Sequence, residues 1–214
     1  LEWEAPLADL RASCIVGSHM KLLRLAVLGS GKGSNFAAIL DAIDDGRLTA
    51  DVRIVASDNP QAGILDLARG AGIETCVIDE PEFKTRLSPG VERDLVEKLA
   101  AADIDLVVLA GYMRVVKSPL LDAFPGRIIN IHPSLLPAFR GLAAWKQALD
   151  AGVPEAGCTV HLVDAGVDTG KILAQAKVPV LPGDSAESLH ARIQQAEHSL
   201  YPAVLRAMAE DWSA

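Results

Sequence analysis

An open, mostly parallel α/β sheet with helices on both faces is the fold class predicted for this chain, on three observations. Half of the 214 residues are hydrophobic, yet aromatics make up only 4%, a balance that suits strands of Val, Ile and Leu buried on both faces. From Lys21 onward, short apolar runs alternate with segments of helical period. No internal repeat, low-complexity tract or long polar linker interrupts that series, so one domain over 20–214 is the simplest organisation.

Taken in order, "LRLAVLGS" is a buried strand, "GKGSN" a turn, and "NFAAILDAIDDG" a helix closed by Gly46, a suitable left-handed cap. "DVRIVASD" and "IETCVID" are the next strands, with "AGILDLARGAG" and "VERDLVEKLAAAD" as the helices after each strand. Right-handed crossovers fold such a βαβαβα series into an open parallel sheet. "IDLVVLAG" is a fourth strand, and "GRIINIH" a fifth that ends on Asn130 and His132. "LAAWKQALDAG" is a helix, and "GCTVHLVD" and "KILAQAKVPVL" are two strands joined by the turn "AGVDTG". A last helix runs from Ser185 to near Glu210, with Leu189, Ile193, Ala196 and Leu200 as its apolar stripe.

Charge narrows the function. Lys and Arg number 20 against 28 Asp and Glu, a balance of −8, and no basic run tracks a phosphate backbone, so nucleic acid is not an expected partner. No apolar run reaches the roughly 20 residues that span a bilayer, and no basic flank with an apolar core opens the chain. Cys14, Cys76 and Cys158 are odd in number and widely spaced, which fits a reduced cytoplasm better than a disulfide framework or a zinc site. "GSHM", Gly17 to Met20, resembles the scar of a purification tag; residues 1–19 are then set aside and Met20 is the native start.

Two stretches carry chemistry. In "GSGKGSN" a strand ends, Gly29, Gly31 and Gly33 permit close backbone approach, and a helix opens beside Ser34 and Asn35. Exposed N–H groups and the helix dipole there suit a phosphate, although the spacing is neither G-x-G-x-x-G nor a P-loop, and a tight capped turn would need the same glycines. In "NIHPSLLPAFRG", Asn130 and His132 lie two apart on a strand and so share a face. An amide and an imidazole converging on one oxygen suit the oxyanion of an acyl transfer, and Pro133 and Pro137 stiffen the turn behind them. In the loop "DAGVDTGK", between Gly166 and Gly170, Asp168 could orient His132, favour its protonated form and help relay a proton. Asp164 is an equally acidic rival four residues away.

No Ser or Cys sits in a nucleophile elbow, so direct transfer between two bound substrates fits better than a covalent intermediate. His161, His190 and His198 form no metal-binding pair with an acid. They are read as packing or surface histidines, and no metal is expected.

"GSGKGSN", "LAGYMRVV", "NIHPSLLPAFRG", "GCTVHLVDAGVDTGKILAQAKVPV" and "QAEHSLYPAVL" together, in collinear order from Leu23 to Met208, resemble the folate-dependent formyltransferase family in its phosphoribosylglycinamide formyltransferase branch. The resemblance implies a Rossmann-like formyltransferase fold and transfer of a formyl group from the co-substrate 10-formyltetrahydrofolate to the amine of glycinamide ribonucleotide, a step of purine biosynthesis. It implies that Asn130, His132 and Asp168 are catalytic, which favours Asp168 over Asp164. Gly33, Ser34 and Asn35 would hold the ribonucleotide phosphate and Glu197 its ribose hydroxyls. Arg86, Met113, Arg114, Val115 and Val116 would bind the folate, with Asn130 touching it as well. The partners implied are small molecules, with the protein a monomer or homodimer.

One stretch departs from the branch. "FRG", Phe139 to Gly141, is closer to the form found in methionyl-tRNA formyltransferases, so Arg140 meets a phosphate or glutamate tail or simply faces solvent. Formyl transfer to a sugar amine or an aminoacyl-tRNA, and a non-catalytic folate or nucleotide binder, stand as alternatives. An acidic chain argues against the tRNA version, and the presence of all three of Asn130, His132 and Asp168 argues against the binder.

Overall fold

The strands that the sequence predicts assemble into one seven-stranded sheet in a computed structural model that describes residues 22–212. The expectations for residues 1–19, Met20 and Cys14 lie outside the described residues. In chain order the elements are β1 (Leu23–Leu28), α1 (Ser34–Asp44), β2 (Ala50–Ser57), α2 (Gly63–Gly70), β3 (Glu74–Val77), α3 (Pro89–Ala101) and β4 (Leu106–Leu109). There follow α4 (Ser118–Ala123), β5 (Ile128–His132), α5 (Ala144–Asp150), β6 (Glu155–Leu162), β7 (Ile172–Pro179) and α6 (Ala186–Trp212).

Strands lie in the order β3-β2-β1-β4-β5-β6-β7. Pairs from β3 across to β5 are parallel, and β5–β6 and β6–β7 are antiparallel. Side chains of β1 alternate between two apolar layers. Leu25 and Val27 enter the layer that holds Phe36 of α1, Ile64 of α2, Ala148 of α5 and Leu189 of α6. Ala26 and Leu28 enter the other, with Leu95 of α3 and Leu120 of α4. Burial on both faces explains why Leu25 to Leu28 of β1 and the whole of β4 read as unbroken apolar runs; each fully buried Leu or Val contributes about 1.5–3 kcal/mol.

The chain reverses its direction of travel across the sheet between β1 and β4, which opens a crevice at their C-terminal ends. Gly29 stands in its floor, where a Cβ would lie 2.7 Å from both Ala110 O and Ile64 Cδ1. Tyr201 of α6 braces the same end of the sheet from beneath. Its buried hydroxyl lies 3.0 Å from Leu109 O, at the end of β4, and 3.2 Å from Ile129 O, within the adjacent β5.

Several boundaries differ from expectation. The third helix begins at Pro89, not Val91, because proline suits the first helical turn. The fifth is delayed to Ala144, since Gly141 (φ 80°) and Ala143 (φ 52°) are left-handed. The six-residue α4 was not anticipated: "SPLLDA" is too short to show a period. Pro202 sits inside α6, where proline costs a helix about 3 kcal/mol of propensity, and it is buried. No helix among the described residues is long and apolar enough to cross a membrane.

Replacing Tyr201 by Phe removes the hydroxyl shared between two adjacent strands without changing the ring. The expected loss is about 1–2 kcal/mol, read as a lower urea midpoint with an unchanged slope; an unchanged midpoint would show that the brace contributes nothing.

Candidate functional site

The antiparallel ladder between β5 and β6 sets the centre of the site. It pairs Asn130 with His161 and His132 with Thr159. His132, 5% exposed, points its Nδ1 at Asp168 Oδ2, 3.4 Å away, and its Nε2 at the carbonyl of Phe139, 2.9 Å away. Both ring nitrogens thus face oxygen acceptors, the arrangement that gives each N–H of an imidazolium a partner. Asn130 Nδ2 lies 3.1 Å from His161 Nε2, and His161 Nε2 lies 3.6 Å from Asp168 Oδ1. Asn130, His132 and Asp168 therefore meet, as expected from the sequence. His161, read from the sequence as a packing or surface residue, is buried and lies in the same cluster. Only the register of an antiparallel pair, which the sequence does not state, brings it opposite Asn130.

Asp168 is held over the strand end by its loop. Its φ is 52°, and its Oδ2 accepts a 2.9 Å hydrogen bond from the Gly141 N–H. A Cβ on Gly170 would collide with the Leu162 carbonyl, so the close return of the chain requires glycine there. Burial pushes the Asp168 carboxyl up. The Gly141 N–H and the charge of His132 outweigh it and hold the group below the usual carboxylate range. Asp164, the rival, is spent on the turn itself, accepting from the Gly166 N–H at 3.0 Å and the Thr169 hydroxyl at 2.5 Å.

Behind His132, the buried Thr159 shapes the proline-rich turn. Its hydroxyl donates to Ser134 O at 2.6 Å and accepts from the Leu136 N–H at 3.0 Å. Gln175 of β7 adds hydrogen bonds of 2.9 Å to the Leu136 carbonyl and to the Thr159 hydroxyl.

The glycine-rich turn after β1 forms a second part of the crevice. Gly33 is left-handed (φ 82°), and a Cβ on it would come within 2.9 Å of Ile64 Cα, so glycine is needed on both counts. No side chain caps α1, which leaves the N–H groups of its first turn open to an anion. Ser34 is the first residue of the helix, and Gly33 holds the cap position. Asn35 Nδ2 donates to Glu197 Oε2 of α6 at 2.9 Å, and its buried Oδ1 has no partner. Two residues 162 apart in sequence thereby close one side of the site. Burial drives the Glu197 carboxyl up to about 7, against the pull of the Asn35 amide.

The residues expected on the folate side divide. Val115 bridges Arg86 in a short parallel contact, its N–H bound to Thr85 O at 2.8 Å. Met113 is exposed and Val116 buried. Arg86 is exposed, with its guanidinium 4.0 Å from the Phe83 ring centre. Arg114 is tied inward: its Nε lies 2.7 Å from Asp58 Oδ2, with the two side chains 9% and 11% exposed. Its Nη1 also donates to the carbonyls of Phe83 and Arg86. Asp58 accepts from the Ser30 hydroxyl at 2.5 Å, and Ser30 Oγ accepts from the Met113 N–H at 2.9 Å. The Arg114 side chain is thus a strut between loops, and its partner Asp58, 56 residues away, was not singled out in the sequence. Arg140 is exposed. His190 stacks on Trp145 at 3.8 Å, and His198 is half-buried, away from the cluster.

A mostly parallel sheet whose crevice joins an uncapped helix N-terminus to an amide, imidazole and carboxylate at the end of β5 defines the class as a Rossmann-like α/β protein with a polar strand-end site. The family model described as formyl transferase matches residues 23–205, and the chain belongs to that family. It is 49% identical over 188 residues to the trifunctional purine biosynthetic protein adenosine-3 of Drosophila pseudoobscura pseudoobscura, covering 87% of this chain and 14% of that protein. It is 40% identical to phosphoribosylglycinamide formyltransferase of Bacillus subtilis, covering 86% of this chain and 94% of that one. The crystal structure of glycinamide ribonucleotide transformylase 1 from Symbiobacterium toebii superposes with a TM-score of 0.84 at 50% identity, covering 88% of each chain. This chain thus spans a small part of the trifunctional relative and most of the other two.

Glu197 gives the site a pH signature without any ligand. A carboxyl raised from 4.5 to about 7 contributes stability that is fully present below pH 4.5 and is lost as pH rises through 7. Between pH 5 and 8 the ligand-free wild type should lose about 3 kcal/mol relative to Glu197→Gln, whose side chain stays neutral. Urea titrations at both pH values measure this; parallel curves for the two proteins would contradict it.

Proposed function

We propose that this chain transfers the formyl group of 10-formyltetrahydrofolate to the primary amine of glycinamide ribonucleotide, a step of purine biosynthesis. The observation that carries the reading is the junction of Asn130, His132 and Asp168 at the end of β5 in a chain of the formyl transferase family. The names of the Bacillus and Symbiobacterium relatives support the substrate.

In this reading the neutral amine attacks the formyl carbon, and the carbonyl oxygen becomes an oxyanion held by Asn130 and His132. The Phe139 carbonyl that accepts from His132 Nε2 gives way to that stronger, charged acceptor. Phe139 has φ 54°, a conformation that is unusual for a bulky side chain and so is released at little cost. Asp168 keeps the imidazolium in place, and the amine proton moves to N10 of the departing folate. Side-by-side binding supplies the proximity, with no covalent enzyme intermediate.

The first turn of α1, with Gly33, Ser34 and Asn35, receives the phosphate. Glu197 meets the ribose hydroxyls, and the unpartnered Asn35 Oδ1 offers them a further acceptor. Arg86, Met113, Val115, Val116 and the backbone of Arg114 border the folate, with Asn130 at its reactive end. A reduced cytoplasmic setting fits Cys76 and Cys158, which are both free and buried.

The test is a turnover assay with both substrates. Asn130→Ala is expected to lose about 100- to 1,000-fold in kcat, and His132→Ala and Asp168→Ala about 100- to 10,000-fold, with melting temperatures retained. Wild-type turnover equal to that of the His132 and Asp168 variants would sink the mechanism. Formylation of a sugar amine but not of glycinamide ribonucleotide would overturn the substrate assignment alone.

A further inference from the structure

We infer that His161 is a positioning residue that fixes the rotation of the Asn130 amide. The inference rests on the proposed role of Asn130 as an oxyanion donor. His161 is 2% exposed and stands directly across the ladder from Asn130. Its Nδ1 lies 2.8 Å from the Leu162 carbonyl, a group that can only accept, so Nδ1 carries a proton. In the neutral ring Nε2 is then a bare lone pair. Asn130 Nδ2 is 3.1 Å from it, within hydrogen-bond reach, whereas Asp168 Oδ1 at 3.6 Å is beyond it.

One amide N–H is thereby donated to His161. The other N–H and Oδ1 make no side-chain hydrogen bond among the described residues and are left to the reactants. Turning the amide over would set Oδ1 against the Nε2 lone pair, two acceptors face to face. A partly exposed Asn130 has no other side-chain partner to stop that turn. Leu162 in its turn is held by the β6–β7 hairpin, its N–H donating to Lys171 O at 2.9 Å, so the orientation is passed from backbone to imidazole to amide.

The prediction separates a positioning role from a merely structural one. His161→Phe keeps the ring and removes the acceptor; kcat should fall about 10- to 100-fold while KM for both substrates stays within about twofold. His161→Gln, whose carbonyl can reach the position of Nε2, should recover most of that loss. In an Asn130→Ala background His161→Phe should change kcat by less than about twofold, since the group it acts through is gone. Equal losses with and without Asn130, or a Gln variant as poor as the Phe variant, would overturn the inference. If His161→Phe does not fold, His161→Met serves in the same cycle. The assay uses whichever formyl acceptor the wild type turns over, so failure of the substrate assignment is distinguishable from failure of this inference. A readout without activity is the ¹⁵N spectrum of histidine-labelled protein, assigned by the signal lost in His161→Gln. A protonated Nδ1 and a bare Nε2 are expected, and a proton on Nε2 would equally overturn it.

Discussion

The antiparallel docking of β6 onto β5 is the constraint on which the rest of the site depends. A parallel neighbour would have carried its connection to the far side of the sheet. The hairpin instead returns over the strand end, and the same register sets His161 against Asn130, Thr159 against His132 and the loop of Asp168 above both. Most of the polar groups buried there find partners within the protein. Burying them therefore costs far less than it would if they were left unpaired.

Two further ties hold the crevice from its sides. Asn35 and Glu197 join the first and last helices. Arg114, Asp58 and Ser30 join the loops that follow β1, β2 and β4. An ion pair this buried adds little net stability, yet losing one partner is costly because the other is left charged and unpaired. Its planar guanidinium also addresses two carbonyls of the loop before α3, a reach that the point charge of Lys does not match. The loops around the crevice are thus set relative to one another by side chains that need not touch a substrate.

Much of this was legible in the sequence because it is local. The apolar runs of β1, β4 and β5, the glycine turn before α1 and the stripe of α6 follow from period and punctuation alone. The sharing of a face by Asn130 and His132 follows from the alternation of a strand. What was not legible is pairing at a distance. His161 looks like any buried histidine until the register of β6 is known, and nothing in the spacing ties the Arg114 side chain to Asp58, 56 residues before it. Between Asp164 and Asp168 the spacing gave no choice; the Asp164 hydrogen bonds within the turn give the reason one is structural. Glu197 was singled out only through the family resemblance, since a Glu on a helix carries no sign of being buried.

Glu197 and Tyr201 both belong to α6, one turn apart, so the contact that closes the glycine loop and the one that ties two adjacent strands come from the same short stretch. Synthesis proceeds from the N-terminus. A nascent chain that has released every strand of the sheet still lacks both contacts, and the crevice is completed only after residue 201 clears the ribosome. The order of translation thus separates making the sheet from arming its site.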